Sequence, residues 1–410
     1  MLFARLLNYT LRDGSVRVID SSGRSRTVGR GDAPVCTVRL HNRLVDYRLF
    51  RNPGLAVPEA YMDGTLTVEE GTIRDFIEIC TRNYRHLENH PLFRLARLFD
   101  WAKFGQFNPM GKAQQNVAHH YDLSDQLYRL FLDRDRQYSC AYFTEQDTDL
   151  ESAQLAKKRH LASKLLLKSG QKVLDIGCGW GGLGLYLAQA RNVNVKGVTL
   201  SREQHAIAVE RVKESGLANR VNFQLQDYRE ERARYDRIIS VGMFEHVGKR
   251  NYREFFTTVR DLLSDDGVML LHSIGRFDTP SPINPFIRKY IFPGADIPAL
   301  SEIMTAIEPL GLYVTDIEIL RLHYAETLRE WRERFLQNRD KARDIYDERF
   351  CRMWEIYLLL CEMGFRYERL MVFQLQLTKK LDTLPLTRDY MVDWERKQAT
   401  RENAGRRHAA

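Results

Sequence analysis

The run Val173–Leu187, VLDIGCGWGGLGLYL, admits few folds. It reads as an apolar strand ending in Asp175, a glycine-rich turn and then a helix. Gly177, Gly179 and Gly182 stand at G-x-G-x-x-G spacing. Glycine suits such a turn because it bends tightly and lets a ligand approach the backbone without meeting a Cβ. Strand, turn and helix in this order belong to an α/β fold with a nucleotide crevice at the strand end. The spacing alone is shared by NAD enzymes and S-adenosylmethionine (AdoMet) enzymes, so other residues have to separate them.

From about residue 115 apolar strands alternate with helices: KVLDIG, NVKGVTL, RVNFQLQ, YDRIISVG and GVMLLHSI. That alternation predicts a parallel α/β sheet. A proline-rich loop (TPSPINPFIRKYIFPGADIP) interrupts it after Arg276. The strand GLYVTDIEIL, two long helical stretches and a last strand MVFQLQLTK follow. Residues 1–105 read as a separate, smaller α+β module, with 106–410 as the catalytic domain. In the module VRVID, TVRL and YRLF alternate like short strands, and Asp13-Gly14, Ser22-Gly23, Pro53-Gly54 and Asp63-Gly64 mark turns. A helix is expected from about Thr72 to Tyr84. The stretch LFRLARLFDWAKF (92–104) puts Leu92, Leu95, Phe99 and Ala102 on one helical face with basic residues elsewhere. It suits either a helix lying in a lipid interface or one packing two domains together.

The formal net charge of +8 and pI near 9.1 favour acidic partners, nucleic acid or anionic lipid. Ten arginines against four aspartates in residues 1–51 place much of that excess at the front. Aromatic residues are not interleaved with Lys/Arg in any RNA-binding motif, which argues against nucleic acid. The six cysteines are scattered, with no C-x-x-C pair and no histidine pair at metal spacing. Neither a disulfide framework nor a metal site is expected, and a reducing cytoplasm is the default. No apolar run reaches the ~18 residues of a membrane span and no signal peptide is evident, so a soluble or surface-bound protein is expected.

A dinucleotide site requires an acidic residue about 20 positions beyond the glycines to hold the ribose hydroxyls. Here the second strand ends in Thr199-Leu200-Ser201 with Gln204 one turn later, and Glu203 falls inside the following helix. The third strand ends in Gln226-Asp227-Tyr228, which suits an adenine: the carboxylate accepts from the exocyclic amine and the phenol stacks on the ring. Asp175 is placed to orient the amino-acid end of AdoMet. NAD is therefore disfavoured and AdoMet favoured.

The segments HHYDLSDQLYRLFLD, QYSCAYF, LDIGCGWGG, GVTLSREQ, YDRIISVGMFEHVG, LHSIG and KYIFPG occur in this order. Together they resemble the cyclopropane-fatty-acyl-phospholipid synthases and the related mycolic acid cyclopropane synthases, over about residues 115–375. The resemblance implies a Rossmann-like class I AdoMet methyltransferase domain. It also implies methyl transfer to the cis double bond of an unsaturated acyl chain in a membrane phospholipid. The enzyme would then lie peripherally on the inner face of the membrane, with a homodimer expected. Relatives make methyl- or methylene-branched chains from the same alkene, so the product stays open between these and a cyclopropane.

In such a reaction aromatic faces can stabilise a carbocation by about 2 kcal/mol each when desolvated. Tyr121, Tyr138, Tyr142, Phe143 and Phe244 are candidates, each equally suited to core packing. The resemblance implies that a bicarbonate ion acts as general base, held by Cys140 with its backbone amide, Glu245, His272, the backbone of Ile274 and Tyr324. Glu245 alternatively caps a helix starting near Asn251, and His323 competes with Tyr324. Cys361 aligns with a cysteine once assigned as the active one in the phospholipid enzymes, yet it sits in the apolar helical stretch IYLLLCEMGF, where inert burial is the better reading. The cofactor-binding candidates are Tyr138, Ser139, Asp175, Gly177, Gly179, Thr199, Leu200, Gln204, Gln226, Asp227 and Tyr228.

Overall fold

The computed structural model describes residues 1–30, 35–88, 124–145 and 148–409. Tyr121 and the 92–104 stretch lie outside the described residues. The chain divides into two compact units, one of 1–105, 282–293 and 328–370, the other of 106–281, 294–327 and 371–410. The segments 282–293 and 328–370, which the sequence placed with the catalytic domain, pack in the first unit.

The first unit carries a four-stranded sheet ordered β2-β1-β3-β4, with β1 Gly14–Ile19, β2 Ser25–Arg30, β3 Val35–Leu40 and β4 Leu66–Glu70. Two expectations fail here. YRLF is not a strand but part of the helix Arg43–Arg51, whose N-cap Asn42 accepts the Val45 N–H at 2.9 Å. Val45 and Leu49, four apart, are its buried face, and a four-residue alternation cannot outweigh a cap followed by a 3.6-residue period. Pro53-Gly54 is not a turn between strands but the start of the helix Pro53–Met62. Proline is favoured at that first position because its missing N–H has no helical partner there anyway. The helix Ile73–Arg82 begins as expected, with a reciprocal capping box between Thr72 and Asp75.

The second unit is built on a seven-stranded sheet ordered β10-β11-β9-β8-β5-β6-β7. Its strands are β5 Lys172–Ile176, β6 Asn194–Thr199, β7 Val221–Leu225, β8 Tyr235–Val241, β9 Leu263–Arg276, β10 Tyr313–Leu320 and β11 Leu370–Thr378. β5 through β9 pair in parallel, while β10 and β11 are antiparallel to each other. This is the expected Rossmann-like α/β sheet. The strands are near-continuous apolar runs because helices cover both faces. On one face Phe255, Phe256 and Val259 of the helix Tyr252–Leu262 pack with Leu174, Ile238 and Met269. On the other, Leu183 and Leu187 of the helix Gly182–Arg191 and Ala208 of the helix Arg202–Glu214 pack with Val173, Val195 and Phe223. The chain runs from β5 outward to β7 and then returns to the other side of β5 as β8. That reversal opens a crevice at the carboxyl ends of β5 and β8.

Candidate active site

The crevice is lined by the ends of β5, β6, β7 and β8 and by the segment 136–139. Gly177 follows β5 with φ +82°, and a Cβ there would lie 2.6 Å from the Cβ of Met243. Gly182 opens the next helix, where a Cβ would meet the Asp135 carboxylate at 2.5 Å. The two glycines thus let the turn close and let the 135–139 segment cross the helix start. All eleven cofactor-binding candidates line this one crevice.

Burial pushes the Asp175 carboxyl up to about 7, against the nearby Lys157 ammonium, and its Oδ2 has no hydrogen-bond partner among the described residues. A buried carboxylate left open in this way suits an ammonium group. Asp227 accepts three hydrogen bonds from Arg229, from its N–H at 3.0 Å and Nε at 2.9 Å on Oδ1 and from a terminal nitrogen at 2.7 Å on Oδ2. That guanidinium also sits 5.8 Å from the centroid of Tyr228, whose ring meets Phe255 edge-on. A lone pair of Oδ2 remains for an amine. Arg229, Trp180 and His246 also line the crevice and were missed from sequence. Trp180 stood inside the glycine run and His246 beside Glu245, which were the available signals.

A second cluster forms where β8 and β9 end. Glu245 sits in the turn Phe244–His246, and its Oε1 accepts the Ile274 N–H at 2.6 Å. Its Oε2 is buried with no hydrogen-bond partner among the described residues. Burial holds this carboxyl at about 7, with the Ile274 N–H pulling the other way. The carboxylate caps no helix: Asn251, not Glu245, precedes the helix Tyr252–Leu262. Both backbone groups of Ile274 are engaged within the chain, its carbonyl accepting from the Ser273 hydroxyl at 3.1 Å. Ile274 therefore positions Glu245 rather than offering its own N–H to an anion.

His272 is buried on β9, and its carbonyl accepts the Gly242 N–H at 3.0 Å. Gln374 Nε2 donates to its Nδ1 at 3.2 Å, which leaves the proton on Nε2. Burial, reinforced by Lys157 and Lys164, drives its pKa well below the ordinary histidine value. His272 is thus a neutral donor. Cys140 follows Ser139, whose Cβ lies 3.9 Å from a Cβ built on Gly242. Burial raises its thiol far above the ordinary value, and the sulfur faces the Ala141 carbonyl at 3.3 Å, so it is no nucleophile. Tyr324 lies half-buried at the start of the helix His323–Gln337. Its competitor His323 is committed, with Nδ1 accepting the Phe143 N–H at 3.0 Å.

The aromatic candidates divide. Tyr138 lines the crevice and packs edge-on against Tyr128 and Phe131. Phe244 is fully buried among Tyr252, Phe255 and Phe256, and is core. Tyr142 is stacked by two imidazoles, His160 at 4.2 Å and His323 at 4.8 Å, which leaves little open face for a substrate cation. Phe143 is half-buried beside His323. Cys361 belongs to the helix Glu348–Tyr367 of the first unit, unlike the other five catalytic candidates. Burial of its thiol, with the Glu368 charge adding to it, pushes the pKa up to about 12.

Fold and crevice together are those of an AdoMet-dependent methyltransferase. The family model for mycolic acid cyclopropane synthetase matches residues 110–375. The chain is 38% identical to a cyclopropane-fatty-acyl-phospholipid synthase of Escherichia coli over 86% of its own length and 90% of that protein's. It is 34% identical to a tuberculostearic acid methyltransferase of Mycobacterium tuberculosis, over 92% and 90% of the two chains. A mycolic acid cyclopropane synthase solved with S-adenosylhomocysteine and CTAB superposes with a TM-score of 0.62 at 34% identity, covering 66% of this chain and 99% of that one. The chain belongs to the mycolic acid cyclopropane synthetase family.

Proposed function

We propose that the chain transfers a methylene group from AdoMet to the cis double bond of an unsaturated acyl chain in a membrane phospholipid, giving a cyclopropane. The observation that carries this reading is the buried Glu245 carboxylate, with one oxygen fixed by Ile274 and the other open, adjacent in sequence to a residue of the crevice wall. The alkene π pair attacks the methyl carbon as the sulfonium S–C bond breaks, releasing S-adenosylhomocysteine and leaving a cation on the acyl chain. Loss of a proton from the transferred methyl then frees its C–H pair to close the ring.

In this reading Asp175 holds the ammonium of AdoMet, while Asp227 and Tyr228 hold the adenine. Alignment of sulfonium and alkene contributes several kcal/mol to lowering the barrier. Bound bicarbonate supplies the base that takes the proton. The open Glu245 Oε2 and the neutral His272 suit a small anion that also carries a hydroxyl: His272 Nε2 and the Tyr324 hydroxyl would donate to it, and Glu245 Oε2 would accept its hydroxyl hydrogen. The Cys140 N–H adds a further donor. A second reading, a methyl- or methylene-branched product from the same alkene, is favoured by the likeness to the tuberculostearic acid methyltransferase.

The substrate requires contact with a bilayer, and among the described residues no helix is long and apolar enough to cross one. We assign that contact to the basic N-terminal region and the 92–104 stretch, acting on the inner leaflet as a cytoplasmic homodimer. The test is sedimentation with anionic, cis-unsaturated phospholipid vesicles, together with turnover in bicarbonate-depleted buffer. Binding that falls with salt and turnover restored by added bicarbonate are expected. Salt-independent binding overturns the electrostatic docking, and full turnover without bicarbonate overturns the anionic base.

A further inference from the structure

We propose that Lys157 is a positioning residue for the carboxylate of AdoMet, acting through the Ser139 hydroxyl; this rests on the crevice being the AdoMet site. Lys157 lies on the helix Leu150–Lys164 and is fully buried. Its ammonium donates to Gln137 Oε1 at 2.5 Å and to Ser139 Oγ at 2.8 Å. Both acceptors are neutral, and among the described residues no carboxylate lies within ion-pair distance of it. A buried ammonium without a counter-ion is costly, and lysines in helices are ordinarily solvated.

The charged groups that face it are otherwise occupied or aimed elsewhere. Asp135 is bonded by Lys158 and Arg211. Asp133 accepts the N–H groups of Gln137 at 2.8 Å and Asp135 at 3.1 Å. Asp175 on β5, Cys140 and His272 on β9 feel the ammonium only through space. The consequence falls on Ser139. An ammonium can only donate, so it fills a lone pair of the serine oxygen and leaves the hydroxyl hydrogen to point elsewhere. Among the described residues that hydrogen has no acceptor, and Ser139 lines the crevice. Gln154 fixes the same segment by donating to the carbonyls of Gln137 and Ser139 at 3.2 and 3.0 Å. The hydroxyl is therefore held as a donor into the crevice, backed by a positive charge. Asp175 provides an acceptor for the ammonium of the ligand's amino-acid end, and the Lys157–Ser139 pair provides the complementary donor for its carboxylate.

The experiment measures calorimetric affinities of AdoMet and of decarboxylated AdoMet for the full chain, its Lys157→Met and Ser139→Ala variants, and the double variant. AdoMet affinity is expected to fall ~10- to 100-fold in each single variant, the usual worth of a charge-assisted hydrogen bond. The double variant should be no weaker than the poorer single one, since both act on one contact. Decarboxylated AdoMet should be bound alike by all four proteins. Equal losses for the two ligands, or a Ser139→Ala protein with unchanged AdoMet affinity, overturn the role of Lys157 while leaving the crevice as the AdoMet site. The serine variant removes a single oxygen and keeps the proposal refutable even if Lys157→Met does not fold, since unchanged AdoMet affinity in it removes the contact through which Lys157 acts. Failure of the unaltered protein to bind either ligand overturns the crevice reading, and this inference with it.

Discussion

Replacing Glu245 with glutamine should make the protein more stable and catalytically crippled at the same time. Glutamine keeps the carbonyl oxygen that accepts the Ile274 N–H and the volume of the side chain, but it cannot ionise. In the folded protein the carboxyl titrates at about 7 instead of the ordinary 4.5 because it is buried. The unfolded chain therefore loses this proton first, and the wild type loses stability as pH rises from about 4.5 through about 7. Carried through, that displacement corresponds to roughly 3 kcal/mol above pH 7. Glu245→Gln escapes the loss. Its stability relative to wild type should be near zero at pH 4.5 and should grow to roughly 3 kcal/mol by pH 8, read by denaturant titration across that range. Turnover should fall ~100-fold or more, since the open oxygen can no longer take a proton. A variant less stable than wild type at pH 8, or a stability difference that does not change with pH, would refute the claim that burial outweighs the hydrogen bonds to the Glu245 carboxylate.

Other substitutions have equally definite outcomes. Asp175→Asn should likewise gain stability on the alkaline side of pH 7, because its carboxyl is also held at about 7, and should weaken AdoMet binding in calorimetry. Gly177→Ala must adopt φ +82° and meet Met243 at 2.6 Å; a cost of ~2 kcal/mol in unfolding free energy and loss of AdoMet binding are expected. In the first unit, Glu362 is fully buried and faces Arg74 at 3.3 Å and Arg332 and Arg366 at 3.4 Å. Glu362→Ala removes the buried carboxylate these cations share and should cost ~3 kcal/mol in thermal or denaturant unfolding. Cys140 should resist iodoacetamide at pH 8 in the native protein and react only on denaturation, as peptide mass spectrometry will show, and Cys361→Ala should turn over within a few-fold of wild type.

The cofactor crevice was legible because most of its residues sit at or just after the ends of strands. A short apolar run fixes where a parallel strand stops, and in an open α/β sheet ligands gather at those ends. What escaped was whatever depends on tertiary surroundings. Lys157 sits in QLAKKRH beside Lys158 and Arg159 and looks like one of a solvated row, yet it is fully buried with its ammonium on Gln137 and Ser139. Phe244 follows a strand just as Glu245 does, and one position decides that the first enters the core while the second meets Ile274. The resemblance implied the Ile274 backbone as an anion ligand; nothing in the chain's order shows that Glu245 takes its N–H. The assignment of 328–370 failed for a similar reason, since an arginine- and aromatic-rich helix carries no mark of the unit in which its buried face will pack.

The most direct test of the central claim is the fate of the methyl group. The protein is incubated with AdoMet bearing a trideuterated methyl and with vesicles of cis-unsaturated phospholipid, and the acyl chains are analysed by mass spectrometry before and after hydrogenation. The account expects a chain that has gained one CD2 unit and is unchanged by hydrogenation, the mark of a ring formed after one deuteron is lost. A CD2 gain followed by uptake of two hydrogens, or a chain that keeps all three deuterons, would contradict cyclopropane formation and favour the branched product.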